Sequence, residues 1–128
     1  MTLRKILMHA RPSIARREPG SAIHQTILRL EKHLPDFGYE LVEDAPYDLQ
    51  VAHVSASTNV DVLHNHGLYP TGVQGAPHWW WGLNHAVIES ARRARVITCV
   101  SEWVADLFRR DMGVNPYITP LGVDTDEW

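Results

Sequence analysis

Short apolar runs and helical stripes take turns along this chain, and that alternation leaves few folds open to it. Arg4-Lys5-Ile6-Leu7-Met8-His9-Ala10 sets a compact apolar run between a polar start and a Pro-bearing loop, as a buried strand does. After Gly20-Ser21, the residues Ile23, Ile27, Leu28, Leu30 and Leu34 recur at helical spacing, and Pro35 and Gly38 end that helix. Tyr39 to Val42 reads as a short strand, Asp48 to Val54 as a second one behind the Ala45-Pro46 turn signal, and Asp61 to His64 as a third. Asn65 to His78 carries Gly and Pro without any period, which marks a loop. Helical spacing returns from Trp79 to Arg95, with Leu83, Val87 and Ala91 inward. Val96 to Val100 is a β-branched strand buried on both faces. Ser101 then caps a helix whose stripe of Trp103, Val104, Leu107, Phe108 and Met112 ends at Gly113. Tyr117 to Leu121 forms a last strand near a sheet edge.

Strands alternating with helices through short links predict an α/β fold, a Rossmann-like three-layer sandwich with a mostly parallel central sheet. Ligands of such sheets sit beyond the carboxyl ends of the strands, so function is expected in the loops after Ala10, His64, Val100 and Leu121. Composition agrees with one folded domain: the 128 residues are 45% hydrophobic and 21% charged, an ordinary globular balance. A formal charge of −3 supplies no basic field, so no nucleic-acid partner is expected. Cys99 has no second cysteine to bond with, and neither a secretory leader pattern nor a membrane-spanning apolar run is present. A cytoplasmic setting is therefore expected, with peripheral membrane contact left open.

Four clusters can carry chemistry. Pro19-Gly20-Ser21 at a helix start either offers free backbone N–H groups to a diphosphate or is a plain turn and cap. His64-Asn65-His66-Gly67-Leu68-Tyr69-Pro70 puts two imidazoles on one side of an extended segment, where they suit sugar hydroxyls or a developing charge. The alternative is one packed and one solvated histidine. No metal is expected there, because no nearby Cys or carboxylate completes a tetrahedral ligand set. The three indoles of His78-Trp79-Trp80-Trp81 cannot all face inward, so at least one is exposed, either to stack on a sugar or to meet another domain. Arg92, Arg93, Arg95, Arg109 and Arg110 either attract acidic groups or form solvated helix faces.

The stretch Val96-Ile97-Thr98-Cys99-Val100-Ser101-Glu102-Trp103-Val104, followed by Ile118-Thr119-Pro120-Leu121-Gly122-Val123-Asp124, resembles a segment of retaining family 4 glycosyltransferases. In that family a strand ending in Val-Ser-Glu leads a helix, and a later strand ends in a Pro-x-Gly-Val-Asp signature. Asp61-Val62-Leu63-His64-Asn65-His66-Gly67 is similar to the family's Asp-Val-x-His-x-His strand end, and Pro19-Gly20-Ser21 sits where its Gly-rich turn lies.

The resemblance implies a GT-B architecture, two Rossmann-like domains with the active site in the cleft between them. Residues 1–122 would be the N-terminal, acceptor-side domain, and 123–128 the start of the crossover into a second domain that the chain does not contain. The implied partners are a nucleotide-sugar, an acceptor molecule and a C-terminal donor-binding domain in cis or in trans, with no metal or other cofactor. His66 is then expected to act on sugar or acceptor hydroxyls as the catalytic residue, with Gly20 and Ser21 on the donor diphosphate side. His64, Tyr69, His78, Trp80, Ser101 and Glu102 would line the acceptor side or the cleft. The charged groups that hold the donor belong to the other half, so the chain alone is expected to lack turnover. The competing reading is a non-catalytic Rossmann-like binding or scaffold module that docks a partner through its Trp cluster.

Overall fold

The computed structural model describes residues 2–9, 22–120 and 122. Its strands are β1 (Arg4–Met8), β2 (Tyr39–Val42), β3 (Leu49–His53), β4 (Val62–Asn65), β5 (Val96–Cys99) and β6 (Tyr117–Ile118). They form one sheet in the order β2-β1-β3-β4-β5-β6, and every neighbouring pair is parallel. This is the expected Rossmann-like sheet, more uniformly parallel than the sequence required. Among the described residues, three helices, α1 (Ala22–His33), α2 (Trp79–Arg93) and α3 (Glu102–Met112), lie between β1 and β2, β4 and β5, and β5 and β6. The links β2 to β3 and β3 to β4 contain no helix, because residues 43–48 and 54–61 are too few to hold one that packs back on the sheet. Among the described residues, no helix is long and apolar enough to cross a membrane.

Register sorts the side chains, because cross-strand partners share a face. Ala52 pairs with Leu63, Leu63 with Ile97 and Asn65 with Cys99, so these residues line one face. That face packs with Val87 and Ala91 of α2 and Val104, Ala105 and Phe108 of α3 into the main core. Met8 and Val51 pair on the opposite face, which also holds His53 and His64. Ile6, Met8 and Ile27 are buried outside the main core.

The helical stripes are rotated slightly from the expected ones. Trp103 and Leu28, both expected inward, are exposed at 68% and 46%. At about 100° per residue, a stripe centred on Val104, Ala105 and Phe108 leaves Trp103 on its rim, and one centred on Ile27 leaves Leu28 there. Helix ends follow the sequence closely. Gly38, at φ 84°, closes the 3-10 turn Leu34–Phe37 that extends α1, and Ser101 Oγ accepts a bond from the Val104 N–H at 3.3 Å.

Candidate functional site

The carboxyl ends of β3, β4 and β5 lie side by side, and register aligns their last residues. His53 pairs with His64, and His64 with Thr98, giving one row of polar side chains across three strands. His66 follows two residues beyond His64, so its ring joins the same group. The ring centroids of His53 and His64 are 5.1 Å apart, those of His64 and His66 5.0 Å, and those of His53 and His66 6.1 Å. The sequence pointed to His64 and His66 but not to His53, which arrives through strand pairing across the sheet.

Each ring is held differently. His64 Nδ1 and Thr98 Oγ1 share a hydrogen bond of 2.7 Å. Nδ1 of His53 and Nε2 of His66 are buried without a hydrogen-bond partner. Burial pushes the His53 imidazole down to about 4, with help from His64 and His66, and lowers His64 to about 4, with help from His66. Burial lowers His66 as well. The rings are therefore neutral at pH 7 and present lone pairs and N–H donors rather than positive charge.

The loop that carries His66 is pinned at both ends by residues the sequence reading passed over. Asn65, fully buried, donates from Nδ2 to the Val54 carbonyl at 3.1 Å and accepts from the Gly67 N–H at 2.7 Å. Gly67 has φ 126°, a conformation suited to glycine, and a Cβ there would lie 3.8 Å from Val104 Cγ2, so the loop rests on α3. Asn84 of α2 accepts from the Tyr69 N–H and donates to the Tyr69 carbonyl, at 2.8 and 2.9 Å. Asn84 bonds backbone 15 positions away and carries no short-range signature, whereas Asn65 accepts from the Gly67 N–H two residues on, a local Asx turn that its Asn-x-Gly spacing signals. Val54 has φ 69°, which is strained for a β-branched residue, and it sits immediately after His53.

Val54, His66, Gly67, Leu68 and Tyr69 line a cleft of about 200 Å³. On its rim the Tyr69 ring stacks on Trp80 at 5.1 Å and meets the edge of Trp79 at 5.2 Å. Trp79 and Trp81 are 59% and 56% exposed, whereas Trp80 is partly buried. His78 is exposed beside them at the start of α2, and its side chain makes no capping bond. Ser101 and Glu102 lie at the end of the neighbouring strand, but Ser101 Oγ caps α3 and Glu102 binds Arg109 at 2.6 Å. Gly20 and Ser21 lie outside the described residues.

The arginines form helix-surface pairs rather than an anion site. Arg92 binds Glu89, Arg95 binds Asp61 and Arg110 binds Asp111, while Arg109 adds Asp106 and Asn115 to Glu102. Arg93 donates to the carbonyls of Glu89 and Ala56.

A parallel Rossmann-like sheet with polar groups collected at the strand carboxyl ends is the arrangement in which α/β domains commonly hold their ligands. The chain belongs to glycosyltransferase family 4: the family model described as Glycosyltransferase Family 4 matches residues 4–127. No curated protein and no solved structure matches it.

Proposed function

We propose that this chain is the N-terminal, acceptor-side domain of a retaining glycosyltransferase of GT-B architecture, which moves a sugar from a nucleotide-sugar to an acceptor. The family match supports the reaction class, and the observation that carries the reading is the neutral His66 on the wall of the cleft beside the Tyr69–Trp80 stack. An aromatic pair of this kind offers a sugar ring an apolar face, and a neutral imidazole offers its hydroxyls either a donor or an acceptor. Neutrality suits the chemistry: a protonated ring would repel an oxocarbenium-like transition state, whereas a neutral one orients a hydroxyl without opposing that charge. Gly20 and Ser21 are assigned to the donor diphosphate side, and the groups that stabilise the leaving diphosphate to a C-terminal donor-binding domain. Partial binding without those charges leaves the barrier high, so the 128-residue chain alone has negligible turnover.

The test is a titration of the chain with nucleoside diphosphates and nucleotide-sugars, read through tryptophan fluorescence. Saturable quenching by the ligand, weakened in Gly20→Val and in His66→Ala, is the expected result. Fluorescence unmoved by any of these ligands overturns the substrate assignment, and rapid sugar transfer by the isolated chain overturns the claim that catalysis needs a second domain.

A further inference from the structure

Residues 62–88, which run from β4 through the following loop into α2, contain no Asp, Glu, Lys or Arg, although such residues make up 21% of the chain. The charges of α2 stand at its far end: Glu89, Arg92 and Arg93 lie about 15–20 Å along the helix axis from Trp79. The cleft rim is therefore aromatic and polar without a fixed charge. Such a surface suits a molecule made of hydroxyl groups better than a phosphate, a carboxylate or an anionic lipid, each of which calls for basic partners. We propose that His78, Trp79 and Gly82 form a second sugar subsite on the first turn of α2, and that the acceptor is an uncharged oligosaccharide reaching from the cleft beside His66 onto Trp79. This rests on the glycosyl-transfer reading for the unit in the cleft and extends it outward by one unit.

Helical geometry brings the three residues together, since positions three and four apart share a face. Trp79 is 59% exposed, and Tyr69 and Trp80 meet it at steep angles of 73° and 89°, so neither stacks over it. Its ring centroid is 5.2 Å from that of Tyr69, which lines the cleft, so the two surfaces adjoin. His78 is exposed at the helix start and makes no capping bond, which leaves its imidazole to a ligand hydroxyl. Gly82 has no conformational or packing reason to be glycine: it is not among the residues with positive φ, and a Cβ there would meet nothing within 4 Å. A helix interior favours alanine over glycine, and a side chain at this position would lean back toward His78 and Trp79. Its absence keeps open the space a stacked ring needs. Asn84 holds both the N–H and the carbonyl of Tyr69, which fixes the cleft against the helix before a ligand arrives. Trp81 lies about 200° round the helix from Trp79, outside the subsite.

The test is isothermal titration and saturation-transfer NMR with neutral trisaccharides of gluco, manno, galacto and N-acetylgluco configuration, each beside its monosaccharide. At least one trisaccharide is expected to bind more tightly than its monosaccharide, whereas trigalacturonate and vesicles of phosphatidylcholine with phosphatidylglycerol are expected not to bind. Trp79→Ala is expected to lower the trisaccharide affinity about 10-fold and to leave the monosaccharide affinity unchanged. Gly82→Leu is expected to do the same while the thermal midpoint holds or rises, a combination that damaged folding cannot produce. Trp81→Ala is expected to change neither affinity. Failure of every neutral trisaccharide to bind, stronger binding of trigalacturonate or vesicles, or full affinity in Gly82→Leu overturns the subsite. These mixtures contain no nucleotide, so the outcomes separate. Nucleotide binding without trisaccharide binding refutes this subsite and spares the donor assignment, and trisaccharide binding without nucleotide binding does the reverse.

Discussion

β4 and β5 are adjacent, parallel and end at the same edge of the sheet, yet the turns that leave them are built on opposite lines. After β5 the chain passes directly into α3: Ser101 caps the helix, Glu102 holds Arg109, and the Cys99 thiol, pushed up mainly by burial, points to the Ser101 carbonyl. After β4 the chain wanders through residues 66–78, and although Asn65 satisfies its backbone partners, Nε2 of His66 stays buried and unbonded, as does Nδ1 of His53 at the end of the neighbouring β3. A turn whose donors and acceptors satisfy one another is a joint. One that buries a ring nitrogen with no partner leaves a polar group unsatisfied.

The sharpest way to break this contrast is acid. The His53 ring titrates near 6.5 when unfolded and about 4 when folded. Above pH 6.5 both states carry the same protons and stability is full; between 6.5 and 4 the unfolded chain takes up its proton first, so stability falls as pH falls. The loss from His53 is on the order of 3 kcal/mol by pH 4. Urea unfolding of the unaltered protein should lose clearly more stability over that range than His53→Leu does; equal losses would place the pH sensitivity elsewhere.

Asn65→Leu comes next. It strands the Val54 carbonyl and the Gly67 N–H, which should cost about 2–3 kcal/mol in the same unfolding assay. Its counterpart on the other turn, Ser101→Ala, removes one cap bond and should cost about 1 kcal/mol. A larger loss at Ser101 than at Asn65 would reverse the comparison. Smallest of all is Glu102→Ala: its ion pair with Arg109 is solvent-exposed, so the unfolding midpoint should hardly move. A marked drop there would make that turn more than a joint.

Much of the fold was legible because its signals are local. The strand Val96–Cys99, the Ser101 cap and the Gly113 stop lie within a few residues of one another, and each was read from the order of residue types. The stripes were read a little off their true centre, since spacing shows that one helix face is apolar but not how the helix is rolled against its sheet. Trp103 was therefore expected inside and lies outside.

The candidate site divides along the same line. His64 and His66 were visible as a pair, because residues two apart in a strand share a side. Tyr69 and Trp80 stood out as aromatics, and the structure stacks one on the other. His53, Thr98 and Asn84 were not visible as site residues, for they meet the rest through sheet register or across a helix: His64 and Thr98 are 34 positions apart, and Tyr69 and Asn84 15.

The amino-acid order by itself determined the kind and order of the described elements, the family to which the chain belongs and the strand end at which two of its imidazoles sit, since periodicity, caps and short motifs act over a few residues. Tertiary structure alone decided that a third imidazole joins the first two, and which ring nitrogens are bonded and which are buried bare. Those outcomes depend on which residues the sheet sets opposite one another, a matter of pairing between strands that no single segment encodes.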